Sequence, residues 1–109
     1  MMPHADLKYS ADIDLDALAI LARIEAAIQS HDAGSGECKG RAYRAEQFHH
    51  SHVLVDISML PKPHRDQDFM HALSADLEQA IKAMIPVGCF FSLNIAFSGA
   101  IYTTGLHSP

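Results

Sequence analysis

The sequence predicts an α/β protein, specifically a two-layer α+β sandwich in which duplicated βαβ units form a four-stranded mixed sheet with two helices on one face. Three observations carry this expectation. Two stretches place apolar residues at three- and four-residue steps, and four others read as strands, two of them with clean alternation. The order is βαβ followed by βαβ, the second unit repeating the first at an offset of roughly 50 residues. The repetition is one of architecture and not of residues.

The first strand is expected at about Pro3 to Tyr9. A helix follows from Asp14 to His31, where Leu15, Leu18, Ala19, Leu21, Ala22, Ile24, Ala27 and Ile28 form an apolar stripe. Ser10, Asp12, Asp14 and Asp16 mark its start, because short oxygen-bearing side chains cap free amides and oppose the positive end of the helix dipole. Gly34-Ser35-Gly36 marks its end.

The second strand is expected at Gly40 to Phe48 and the third at His52 to Leu60, with His49, His50 and Ser51 in a tight connection between them. Val53, Val55, Ile57 and Met59 alternate, which buries one face of the third strand. A second helix is expected from Asp66 to Ile85, its apolar side carrying Phe69, Met70, Leu73, Leu77, Ile81, Met84 and Ile85. Pro61 and Pro63 precede it, and Pro86 and Gly88 close it. The fourth strand is expected at Cys89 to Phe97, with Phe91, Leu93, Ile95 and Phe97 alternating.

A βαβ unit within one sheet makes a right-handed crossover between parallel strands, so both helices fall on the same face. The other face would carry Asp6, Lys8, His52, Asp56, Ser92 and Asn94 among apolar residues, and the sheet would have two open edges. Pairing between subunits would cover both.

Composition sets the class. The chain has 109 residues, the size of one domain spanning 1–109. With 49% hydrophobic and 19% charged residues it is too apolar for intrinsic disorder. A monomer of this length buries only about two-thirds of its unfolded surface, so oligomerisation would add burial. Thirteen acidic against eight basic residues, net −5, with no long basic run, argue against nucleic acid as a partner. Charges interrupt every apolar stretch before the roughly 18 residues a membrane span needs, so no membrane association is expected. Cys38 and Cys89 form no CxxC pair, and no basic start with an apolar segment precedes the first strand. A cytoplasmic protein with reduced thiols is the expectation.

Met2-Pro3-His4, then Tyr9-Ser10-Ala11-Asp12 and the first amphipathic helix, resemble the start of the 5-carboxymethyl-2-hydroxymuconate isomerase family of the tautomerase superfamily. Gly40-Arg41-Ala42-Tyr43-Arg44-Ala45 is similar to the family's second strand, and Val53-Leu54-Val55-Asp56-Ile57-Ser58 to its third. His64-Arg65-Asp66 falls where the second helix begins, and Leu93-Asn94-Ile95 and Leu106-His107 fall on later segments. The resemblance implies a homotrimer of double βαβ protomers. It further implies an enzyme that moves a double bond in an unsaturated carboxylate formed in aromatic catabolism, with neither metal nor organic cofactor.

By the same resemblance Pro3 is the catalytic base, and Lys39, Arg41 and Arg65 bind substrate. Arg41 and Arg65 stand where the family has arginines; Lys39 stands where it has another, keeping the charge but losing the two-pronged fork. The chemistry suits these residue types. A free N-terminal amine titrates near pH 8, and desolvation and nearby cations lower it further, so it can act as a base at neutral pH. Cationic side chains hold carboxylates and steady the negative charge of a developing dienolate. In the chain as written Met2 acylates Pro3, and an amide nitrogen has no basic lone pair, so the base exists only where Pro3 is the first residue.

Other readings remain open. Arg41 and Arg44 also fit ordinary strand surface charge, and Arg65 a solvated helix start. His49-His50-Ser51-His52 raises metal binding, with Asp56 as the possible carboxylate. In a strand, however, His50 and His52 share a face that His49 does not, and no metal site is expected. Cys38 and Cys89 lack the strand-to-helix elbow of a nucleophile and read as structural. The alternative to an isomerase is a catalytically altered protein of the same fold that binds small carboxylates.

Overall fold

The computed structural model describes residues 3–109, and its elements run β1 (His4–Ser10), α1 (Ala17–His31), β2 (Lys39–Ala45), β3 (His52–Met59), α2 (Gln67–Lys82) and β4 (Phe90–Phe97). The duplicated βαβ order expected from the sequence is present. The strands form one sheet in the order β2-β1-β3-β4. Each βαβ unit pairs its own strands in parallel, β1 with β2 and β3 with β4, and the two units meet through the antiparallel pair β1–β3.

This order corrects one expectation. Residues 46–51 do not form a tight link between neighbouring strands, because β1 lies between β2 and β3 and the segment must pass over its end. The segment turns at His50, whose φ of 66° is in the left-handed region. Ser10, fully buried, fastens the crossing: its hydroxyl accepts from the His52 amide at 3.0 Å.

The helices are shorter than the apolar stripes that predict them. α1 starts where the Asp16 carboxylate accepts the Ala19 amide at 3.1 Å, while Ile13 and Leu15 belong to a preceding turn. Asp66 caps α2 the same way, accepting the Phe69 amide at 2.9 Å. Met84 and Ile85 follow α2 in tightened turns bonded to Ile81 and Lys82.

The core lies between the sheet and the two helices. Ala5, Leu7, Val53, Val55, Ile57 and Met59 from the central strands meet Ile20, Ile24, Ala27 and Ile28 of α1 and Leu73, Leu77 and Ile81 of α2. Alternation therefore sends His4, Asp6 and Lys8 of β1 and His52, Leu54, Asp56 and Ser58 of β3 to the opposite, helix-free face. Gly40 marks which side of β2 is inward: a Cβ there would lie 2.9 Å from Leu21 Cδ2. Lys39, Arg41 and Tyr43 consequently share the open face with His4, Asp6 and Lys8. No helix among the described residues is long and apolar enough to cross a membrane.

Candidate functional site

Pro3 is buried at the head of β1, and its carbonyl accepts the Lys39 amide at 2.8 Å, which aligns the starts of β1 and β2. The parallel register then sets Lys39 beside His4 and Arg41 beside Asp6. The sheet places Lys39 and Arg41 together on the open face, with Pro3 buried at the start of the neighbouring strand; the fourth expected site residue, Arg65, lies in the helix layer.

Arg41 is the better held of the two cations on the open face. Its Nε lies 2.6 Å from Asp6 Oδ1, a buried oxygen at which no hydrogen is well aimed, so the pairing is mainly electrostatic. Its Nη1 approaches His4 Nδ1 at 3.3 Å. A guanidinium only donates, so in this contact Nδ1 is the acceptor. Lys39 is looser, with an exposed Glu37 at 3.4 Å, a contact worth little in water. Next to it Cys38 donates its amide to Glu25 at 2.8 Å. Burial, reinforced by the Glu25 charge, pushes the Cys38 thiol up to about 11, which keeps it protonated and unreactive.

Arg65 is built differently. Only 1% of its side chain is exposed, and the carboxylate it holds belongs to the chain itself: Nε and Nη2 reach Asp32 Oδ2 at 3.0 and 2.7 Å, and Nη1 donates to the Leu60 carbonyl. His64 Nε2 joins the same oxygen at 2.9 Å. Asp32 caps the C-terminus of α1 and Arg65 immediately precedes the Asp66 cap of α2, so the cluster ties both helices to the end of β3. Burial alone would raise the Asp32 carboxyl; hydrogen bonds from His64 and Arg65 and their charges overcome it and hold the group below its ordinary 3.8. Arg65 reaches an external carboxylate only where Asp32 releases it.

Two clefts lie elsewhere. One, of about 450 Å³, is lined by Tyr9, Ala11, Asp12, Ile13, Asp14, Leu15 and Arg44 at the far end of β1 from Pro3. There, hydrogen bonds from Ser51 and Ser10 hold the Asp12 carboxyl below its ordinary value. The other, about 220 Å³, is bounded by Lys82, Ile85, Val87, Gly88, Cys89 and Phe91. Pro3, Lys39, Arg41 and Arg65 line neither.

The histidine run carries no metal geometry. His49 and His50 stack with ring centroids 4.3 Å apart, and His52 Nδ1 is 2.8 Å from the His50 carbonyl. Among the described residues no three His, Cys, Asp or Glu side chains are grouped to hold a metal ion.

Sequence reasoning did not single out His4, Asp6 and Asp32 as partners of the expected cations. Alternation puts His4 and Asp6 on one face, but only the register brings Arg41 to them. Asp32 is 33 residues from Arg65, and no local pattern links them.

No protein-family profile matches this chain, and no curated protein sequence matches it. Solved structures do. A 5-carboxymethyl-2-hydroxymuconate delta-isomerase superposes with a TM-score of 0.75 at 19% identity, over 97% of this chain and 89% of that one. A 5-carboxymethyl-2-hydroxymuconate isomerase from Deinococcus radiodurans R1 gives 0.64 at 16%, over 95% and 90%. A symmetric trimer of fused 4-OT gives 0.62 at 15%, over 87% and 83%. The likeness is one of fold, and it bears out the tautomerase architecture that the sequence resembles.

Proposed function

We propose that this chain is a cytoplasmic, cofactor-independent isomerase of the tautomerase type. It would shift a double bond or an enol–keto proton in a small unsaturated carboxylic acid such as 5-carboxymethyl-2-hydroxymuconate. The observation that carries the reading is the corner at the start of β1, where Pro3 is buried and bonded to Lys39, with Arg41 two residues along the same strand edge, in a fold shared with isomerases.

In this reading Pro3, as the first residue of the working chain, supplies a secondary amine. Its burial and the nearby Lys39 and Arg41 favour the neutral, basic form. The amine takes a proton from the substrate, the electron pair moves into a dienolate, and the proton returns at the far carbon of the conjugated system, so nothing is consumed. Arg41 and Lys39 hold the carboxylate and balance the charge that develops. Arg65 supports the corner through Leu60, two residues beyond the Ser58 that pairs with His4. In this reading the remaining wall of the site is supplied by a neighbouring copy in a homotrimer, the assembly that the family resemblance implies.

A second reading, a carboxylate-binding protein of the same fold, is favoured wherever Pro3 stays acylated by Met2. One experiment separates the two. Chains beginning at Met1 and at Pro3 are checked by intact mass and assayed for ketonisation of a dienol such as 2-hydroxymuconate. Turnover confined to the Pro3 chain, and lost at least a hundredfold in its Pro3→Ala variant, is the expected result. Equal turnover by both chains would sink the proline mechanism.

A further inference from the structure

We infer that the substrate carries a single carboxylate, because each of the three cations expected to bind it is already paired with a carboxylate of this chain. The inference rests on the isomerase reading above and narrows its substrate class.

Lys39 has Glu37 at 3.4 Å, Arg41 has Asp6 at 2.6 Å and Arg65 has Asp32 at 2.7 Å. The three pairs differ in how far they release the cation. Arg65 is closed: its side chain is 1% exposed, and its Nη1 donates to the Leu60 carbonyl. An external carboxylate would have to displace Asp32, which His64 and the Gly34 amide also hold. Lys39 is open, because its pair lies in water, where such contacts are weak and easily exchanged. Arg41 stands between these cases. Its Nε and Nη1 approach Asp6, His4 and the Lys39 carbonyl, whereas Nη2 bonds no group among the described residues.

The charge balance of the open face points the same way. Asp56 stands directly across from Asp6, with uncharged Asn94 beyond it. Glu37, Asp6 and Asp56 therefore oppose Lys39 and Arg41, and Lys8 lies over the Tyr43 ring, 5.8 Å from its centroid. Lys39 and the free edge of Arg41 suffice for one carboxylate. A second would give up water beside Asp6 and Asp56 with no surplus cation to receive it. Asp6 is thus the specificity-determining residue: it removes the positive charge that a dianion needs, which is selection by an unmatched charge.

The test compares sorbate with trans,trans-muconate, two six-carbon dienes that differ by a methyl group against a second carboxylate. Calorimetry on the chain beginning at Pro3 should show sorbate binding at least tenfold more tightly at neutral pH, where all these carboxyl groups are ionised. Asp6→Asn keeps the shape of the side chain and removes its charge, so it should strengthen muconate binding at least fivefold, and more at low salt. Because it also ends the like-charge opposition to Asp56, the variant should melt no lower than wild type. Muconate binding as tightly as sorbate to the wild type overturns the inference. So does an Asp6→Asn variant that leaves muconate unchanged or weakens both acids alike, the mark of a purely structural role, and so does a wild type that binds neither acid. Turnover of 2-hydroxymuconate by the same sample decides the isomerase reading separately: turnover with muconate preferred sinks this inference alone, and sorbate preferred without turnover sinks the enzyme alone.

Discussion

Replacing Asp32 by Ala tests the buried cluster that joins the two helices to β3. The substitution strands the Arg65 guanidinium, whose side chain is 1% exposed, while only the Leu60 carbonyl stays bonded to it. Removing one member of a buried ion pair costs about 3–5 kcal/mol, because the remaining charge is left without its counter-charge. The surviving Leu60 bond places this case near the lower end, and loss of the 3.2 Å bond from the Gly34 amide to Asp32 adds about 1 kcal/mol. A destabilisation of about 3–4 kcal/mol is expected, a fall in Tm of roughly 12 °C or more for a domain of this size. Urea unfolding at fixed protomer concentration measures it, since assembly would otherwise shift the apparent stability. The sign with pH follows from the lowered carboxyl. Its folded-state pKa is below the unfolded 3.8, so its contribution is complete above 3.8 and disappears as pH falls through the folded value. The gap between wild type and variant should therefore hold at neutral pH and narrow only in acid below about 3.8. A difference within about 0.5 kcal/mol at pH 7 would show that Arg65 and Asp32 do not form the cluster described.

Three further outcomes are expected. Arg41→Ala should raise KM for a carboxylate substrate at least tenfold, with Arg41→Lys intermediate because it keeps the charge but not the fork; steady-state kinetics on the chain beginning at Pro3 would read it. Cys38 should resist alkylation at pH 8 in the folded protein, where a thiol raised to about 11 leaves roughly one in a thousand as thiolate, and react promptly in urea. Gly40→Val should destabilise by about 1–3 kcal/mol by driving a branched side chain into Leu21, whereas Gly40→Ala should cost less, since the contacted atom is the movable end of a side chain. Equal melting of Gly40→Val and wild type would refute that packing.

The sequence by itself determined the element types, their order and the buried faces of β3 and α2. These are properties of local periodicity: Val53, Val55, Ile57 and Met59 alternate and are buried, and Leu73, Leu77 and Ile81 step along α2 and are buried. On α1, by contrast, the expected stripe included Leu18, which is 79% exposed, and omitted Ile20, which is fully buried. Capping chemistry was partly legible as well, with Asp16 and Asp66 each bonding an amide three residues on. Helix ends were not, because apolar residues such as Met84 and Ile85 also serve in the turns that pack against the core. Only the tertiary structure decided the neighbours. Placing β1 between β2 and β3 brought Arg41 onto Asp6 and His4, and set Asp6 against Asp56. It also gave Arg65 to Asp32, turning a residue that reads as a ligand-binding cation into a buried tie. Partner choice among charges depends on distances of a few ångströms between segments remote in the chain, and no local pattern encodes them.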